Sequence, residues 1–186
     1  MAKKRDLRQL FRNKRSKLCS QELSEASIRI FNHIVTDKLI EGNLVMLYMS
    51  SQNLQELPTG TLFSLSDNYD ICVPKVVRKG GVMEAVMWDK NIATNTNAWG
   101  IKEPLSSAYI PPENIDTVVV PLLCFDNAGH RVGFGKGYYD RFLKRCSKNV
   151  KTIGLSYFNP VDKISDVEAT DVPLDVVVTP QKVYRF

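Results

Sequence analysis

The run Thr117-Val118-Val119-Val120-Pro121-Leu122-Leu123, followed by Gly133-Phe134-Gly135-Lys136-Gly137, constrains the fold more than any other feature. An apolar run of this kind, with no alternation, reads as a strand buried on both faces. Beyond the glycines, Tyr138, Tyr139, Phe142 and Leu143 fall at helical spacing, and Asp140 and Lys144 form an i, i+4 charge pair. The predicted order is therefore strand, glycine loop, helix. Glycine lets a backbone turn sharply and approach a ligand closely. The N–H groups of such a loop and of the helix start can face an anion, and Arg131 and Lys136 add positive charge. Two readings stay open, a turn that serves geometry alone and a cradle for phosphate. The spacing is neither that of a Walker loop nor that of the G-x-G-x-x-G dinucleotide fingerprint.

A chain of 186 residues suffices for one domain with a sizeable core. With 44% hydrophobic and 24% charged residues it has an ordinary globular balance, and no apolar run approaches a membrane span. Cys19, Cys72, Cys124 and Cys146 are scattered without a C-x-x-C pair, which gives neither a zinc site nor a disulfide framework and suits reduced thiols in a cytoplasm. The net charge of +5 is compatible with an anionic ligand or a nucleic acid and selects neither.

Residues 3 to 18 read as a basic amphipathic helix. Leu7, Leu10, Phe11 and Leu18 mark one face, and Lys4, Arg8, Arg12 and Arg15 are among the cations on the others. These cations form a solvated face or reach a phosphate. A second helix is predicted over Gln21 to Ile40, with Leu23, Ile30, Phe31, Ile34 and Val35 inward, His33 at the surface or in packing, and Gly42-Asn43 as its stop. Leu44 to Met49 reads as a central strand. The loop after it holds Ser51 and Glu56, where open α/β sheets bind ligands; a short helix from Pro58 or Thr59 through Leu65 follows. Ile71 to Val77 and Val82 to Trp88 read as strands joined at Arg78-Lys79-Gly80-Gly81. Asp89 to Pro112 is polar and irregular, and Trp99 within it is a core plug or a pocket wall. Thr152 to Tyr157 and Val176 to Thr179 are further strands, with carboxylates including Asp171 between them. The alternation of strands and helices predicts an α/β class with a mostly parallel central sheet.

The string Gly133-Phe134-Gly135-Lys136-Gly137-Tyr138-Tyr139-Asp140-Arg141, with Phe125-Asp126 and Gly129 ahead of it, resembles the signature of the 5-formyltetrahydrofolate cyclo-ligase family. The resemblance runs from about Lys4 to Thr179. It implies a three-layer α/β/α fold over 1–186 as a single domain. The implied activity is ATP- and magnesium-dependent closure of 5-formyltetrahydrofolate to 5,10-methenyltetrahydrofolate, with ADP and phosphate released. Lys4 and Arg8, in a K-x-x-L-R pattern, are then ATP or folate contacts. Arg131, Gly133, Phe134, Gly135, Lys136, Gly137, Tyr138 and Tyr139 form the ATP side. Ser51, Glu56, Trp99 and Tyr138 are substrate contacts; Glu56 belongs to an E-x-x-T element and Trp99 borders a G-x-x-E-P element. Asp140 and Asp171 match metal-contacting positions. The sequence departs from the family pattern at Gln55, where glycine is usual, at Pro160 in place of glutamine, and at Thr170 in place of histidine. Small-molecule substrates, no nucleic-acid or membrane partner, a cytoplasmic location and a monomer are the accompanying expectations. The rivals are a non-catalytic nucleotide- or folate-binding relative and a basic nucleic-acid-binding module using the first helix.

Overall fold

The computed structural model describes residues 1–77, 81–96 and 100–186. The predicted turn residues Arg78, Lys79 and Gly80, and Trp99, lie outside the described residues.

Helix α1 (Lys4–Arg15) buries Lys4, Leu7, Phe11 and Arg15. At 3.6 residues per turn a stripe through positions 4, 7 and 11 carries position 15 inward and position 10 outward. This reverses two expectations: Leu10 is 47% exposed, whereas Arg15 is 2% exposed. Helix α2 (Ser20–Thr36) turns Ala26, Ser27, Ile30 and Ile34 inward. Val35, expected inside, is exposed. The helix also stops before Gly42-Asn43. Lys38 has already left the helical region at φ 49°, and Gly42, at φ 73°, turns the chain into the first strand.

The strands that follow are β1 (Leu44–Met46), β2 (Asp70–Val77), β3 (Val82–Met87), β4 (Thr94–Thr96), β5 (Lys102–Pro104) and β6 (Tyr109–Ile110). A 3-10 helix, Gly60–Asp67, lies between β1 and β2. Then come β7 (Thr117–Pro121), β8 (Cys124–Phe125), β9 (Arg131–Val132), α3 (Tyr138–Leu143), β10 (Lys151–Leu155), β11 (Val176–Val178) and β12 (Val183–Arg185). The segment read as irregular thus contains the β4–β5 hairpin and β6. Likewise β8 and β9 form a hairpin between the buried strand and the glycine loop, which the sequence pattern did not separate. The buried Asp126 shapes that hairpin: its Oδ1 accepts from the N–H groups of Ala128 and His130, both at 3.0 Å.

Among the described residues the main sheet has eight strands in the order β12-β11-β10-β7-β1-β2-β3-β6. The five from β11 to β2 are mutually parallel, and β12, β3 and β6 add antiparallel edges. Side chains alternate between the two faces. Val45, Val119, Ile153, Val176 and Val178 pack with Ile30 and Ile34 of α2 on one side. Met46, Val118, Val120 and Val177 pack with Phe142 and Leu143 of α3 on the other. This is the expected three-layer α/β/α arrangement. From β1 the chain moves outward to β2 and β3, then returns to β7 on the opposite flank and continues to β10 and β11. The order therefore reverses between β1 and β7. A crevice opens at the carboxyl ends of strands at such a point.

Candidate active site

A cavity of about 710 Å³ occupies this crevice, within the range that holds a small-molecule ligand. The loop after β1 and the glycine loop after β9 form opposite walls, with Tyr48, Met49, Leu54 and Glu56 on one and Phe134, Gly135, Lys136 and Gly137 on the other. Helix α1 supplies Lys4, Arg5, Arg8 and Arg12 along one rim. Helix α3 supplies Tyr138, Tyr139 and Asp140, and the segment before β11 supplies Asp166, Glu168, Thr170 and Asp171.

The glycine loop is held from α1. Arg8 Nε donates to the Gly133 carbonyl at 3.0 Å. Gly135 has φ 95°, and a Cβ there would lie 3.4 Å from Arg8 Nε. Gly137, at φ 63°, is the residue from which α3 starts. Both conformations belong to the left-handed region that side chains disfavour. The leucine and phenylalanine of the α1 stripe pack onto Leu123, Cys124, Val132 and Ile164, so the helix that carries the cations is anchored to the β8–β9 hairpin beside the loop.

Two cation–carboxylate pairs line the pocket. Lys4 Nζ lies 2.5 Å from Asp171 Oδ2. That oxygen also accepts the Glu168 N–H at 2.7 Å. Burial tends to raise the Asp171 carboxyl, but the hydrogen bond from Lys4, the Glu168 N–H and the charges of Lys4 and Arg131 hold it below its ordinary value. Arg131 Nη2 lies 2.7 Å from Asp140 Oδ1, and Arg131 Nη1 donates to the Val172 carbonyl. Asp140 therefore pairs with Arg131 and not with Lys144, the partner expected from helical spacing. Burial lowers the Arg131 pKa, opposed by Asp140 and Asp171.

Asp140 and Asp171 both face the cavity, and among the described residues no group of three or more His, Cys, Asp or Glu is placed to form a closed metal cage. Two hard oxygen donors on the cavity wall suit magnesium, which takes one or two carboxylates and completes its shell with phosphates and water. The residues fit the ion.

On the β1 side, Glu56 is buried and its Oε2 accepts the Ser51 N–H at 2.8 Å. Burial raises its pKa, opposed by that N–H and by Arg15. Ser51 is itself buried and is not among the residues lining the cavity; its N–H holds the Glu56 carboxylate. Tyr157 Oη donates to the Glu56 carbonyl at 3.1 Å, and Tyr48 Oη donates to the Leu57 carbonyl at 3.0 Å, fixing the same turn from below. Apolar surface from Met49, Leu54, Ile101 and Tyr138 completes the wall.

The sequence-predicted residues Lys4, Arg8, Glu56, Arg131, Gly133, Phe134, Gly135, Lys136, Gly137, Tyr138, Tyr139, Asp140 and Asp171 thus share one cavity. Arg12, Glu103, Asp166 and Glu168 also line it, although the sequence assigned them no site role and showed them only in the basic helix, the G-x-x-E-P element and the carboxylate cluster before the last strand. The i, i+4 spacing from Arg8 to Arg12 was the available signal for one of them. For Asp166 and Glu168, the nearness of Asp171 was the signal.

A mostly parallel sheet with a cation-rich, glycine-lined pocket at its switch point defines an α/β enzyme that handles a charged small molecule. The 5-formyltetrahydrofolate cyclo-ligase family model matches residues 1–180. The chain belongs to that family, whose substrates are ATP and a folate. The chain is similar over its length to a solved structure of Aquifex aeolicus 5,10-methenyltetrahydrofolate synthetase. The TM-score is 0.81 and the identity 32%, over 98% of this chain and 92% of that one. It is also similar to a 5,10-methenyltetrahydrofolate synthetase from Mycoplasma pneumoniae, with a TM-score of 0.73 and 26% identity over 95% of this chain and 98% of that one. A 70-residue stretch is 44% identical to the 5-formyltetrahydrofolate cyclo-ligase of Mycoplasma genitalium, spanning 37% of this chain and 41% of that protein. Among the described residues no helix is long and apolar enough to cross a membrane.

Proposed function

We propose that this chain is an ATP-dependent cyclo-ligase that closes 5-formyltetrahydrofolate to 5,10-methenyltetrahydrofolate. The observation that carries this reading is the meeting of the glycine loop and the α1 cations with the Glu56 wall across a single cavity. In the reaction the formyl oxygen attacks the γ-phosphorus of ATP and ADP leaves. N10 then attacks the formyl carbon and gives up its proton, and the C–O bond breaks as phosphate departs with the oxygen.

No protein nucleophile is needed for this sequence; alignment and charge neutralisation carry the catalysis. The Gly133–Gly137 backbone, Lys4, Arg8 and Lys136 bind the triphosphate, and Phe134, Tyr138 and Tyr139 flank it. Glu56 accepts hydrogen bonds from the folate ring system, and Met49, Leu54 and Ile101 exclude water around it. Magnesium, held when bound by Asp140 and Asp171, supplies charge neutralisation at the phosphates. Arg131 keeps Asp140 in place through their 2.7 Å contact. The reading takes residues 1–186 as one functional unit, a cytoplasmic monomer acting without nucleic acid or membrane.

The test is the absorbance of methenyltetrahydrofolate, followed with purified protein and 5-formyltetrahydrofolate. Product is expected only when ATP and magnesium are both present. Folate binding without turnover would establish a non-catalytic relative instead.

A further inference from the structure

Arg15 lies behind the cavity wall, 2% exposed, where burial lowers its guanidinium pKa. Its Nη2 donates to the carbonyl of Leu122, just past β7, and its Nη1 reaches the Gln55 carbonyl at 3.4 Å. The guanidinium sits 5.3 Å from the Tyr157 ring centroid and 5.9 Å from that of Phe134. Its Nε has no hydrogen-bond partner among the described residues. A buried cation with one donor unsatisfied is a poor choice for stability alone, since an apolar side chain of similar volume serves a core as well. What it touches is more specific. Leu122 and Phe134 belong to the segment that carries the glycine loop, and Gln55 precedes Glu56 on the opposite wall. Gln55 has φ 47°, a left-handed conformation held by a residue that has a Cβ. Its N–H donates to the Gln52 carbonyl at 3.0 Å, which closes the turn.

We propose that Arg15 is the positioning residue of the folate side of the site, tying the Gln55–Glu56 turn to the end of β7 so that the Glu56 carboxylate faces the cavity. The inference rests on the folate reading of Glu56. Arg15 touches no substrate. It acts on the substrate through the backbone of Gln55, and the guanidinium fork spans two carbonyls that a single ammonium cannot span together.

The test varies 5-formyltetrahydrofolate and ATP separately in steady-state kinetics, with melting curves as a control on folding. Arg15→Lys is expected to raise the KM for folate about tenfold while the KM for ATP and kcat stay within about twofold. Adding Gln55→Gly, which makes the left-handed turn free of strain, is expected to bring the folate KM of Arg15→Lys back to within about threefold of the parent. A residue that merely stabilised the fold would not give that selective recovery. Gln55→Pro keeps Arg15 but cannot adopt φ 47°. It is expected to give the same selective rise and keeps the proposal testable if Arg15→Lys does not fold. Equal rises in both KM values, an unchanged folate KM, or no recovery in the double variant would overturn the proposal. A parent protein that fails to convert 5-formyltetrahydrofolate overturns the proposed activity and this inference with it. A parent that converts it, with variants that match it, overturns this inference alone.

Discussion

The Arg131 guanidinium and the Asp140 carboxylate meet at 2.7 Å beside the glycine loop, with Arg131 nearly buried. Asp140 also accepts the Val172 N–H at 3.2 Å. One carboxylate thus joins β9, α3 and the segment before β11, the three pieces that frame the phosphate side. Asp140→Asn keeps the shape and removes the charge. It is expected to lower stability by roughly 1–3 kcal/mol, the range for a charged hydrogen bond at a buried partner. It should also raise the magnesium concentration needed for half-maximal turnover, with folate affinity unchanged. Magnesium titrations of turnover and folate calorimetry check this. An unaltered magnesium requirement removes Asp140 from the metal site.

Gly135→Val acts on the loop itself. A β-branched residue at φ 95° is strained, and its side chain meets the Arg8 guanidinium. ATP affinity is expected to fall at least about tenfold, a loss near 1.4 kcal/mol, while circular dichroism stays that of the parent. Calorimetry with a non-hydrolysable ATP analogue measures it, and an unchanged affinity rules out the loop as the phosphate cradle.

Arg8 and Lys17 separate the site-facing cations from the solvated ones. Arg8 lines the cavity and holds Gly133, whereas Lys17 is exposed beyond the end of α1. Arg8→Ala is expected to raise the KM for ATP about tenfold or more, the scale of a lost charged hydrogen bond. Lys17→Ala should leave it unchanged. Comparable effects from both substitutions would make long-range charge, rather than the Arg8 contact, the source of affinity.

Glu56 links function to pH. Burial raises its pKa, with the Ser51 N–H and Arg15 opposing. A carboxyl raised on folding favours the folded state below its unfolded pKa, and that contribution is lost as pH rises through the folded value. Glu56→Gln removes the titration. Its stability relative to the parent should therefore increase from acid to neutral pH, while its KM for folate rises about tenfold at pH 7. Denaturation at several pH values, alongside kinetics, tests both halves. A relative stability that does not change with pH, or declines towards neutral pH, would contradict the raised pKa.

Local pattern was enough for some of this molecule. The run of valines in β7 has one stable solution, a central strand covered on both faces, and the structure places it between β1 and β10. The glycines at 133, 135 and 137 mark a loop because alternating glycine does not persist in a helix or strand interior. The resemblance carried by that loop and by Lys4 and Arg8 pointed to residues that the structure gathers into one cavity.

Partnership among charges was not legible. Asp140 has Lys144 one helical turn away, yet it pairs with Arg131, because β9 brings the guanidinium within 2.7 Å while Lys144 is exposed. Lys4 and Asp171 form a pair across nearly the whole chain length for the same reason. Arg15 reads as one of many cations on a basic helix, and only the meeting of α1 with the ends of β1 and β7 buries it. Hydrophobic period and backbone preference depend on near neighbours, so the sequence by itself determined the central strand, the glycine loop and the first helix. The direction in which each charge points depends on which groups distant segments bring within a few ångströms, and that was decided by the tertiary structure.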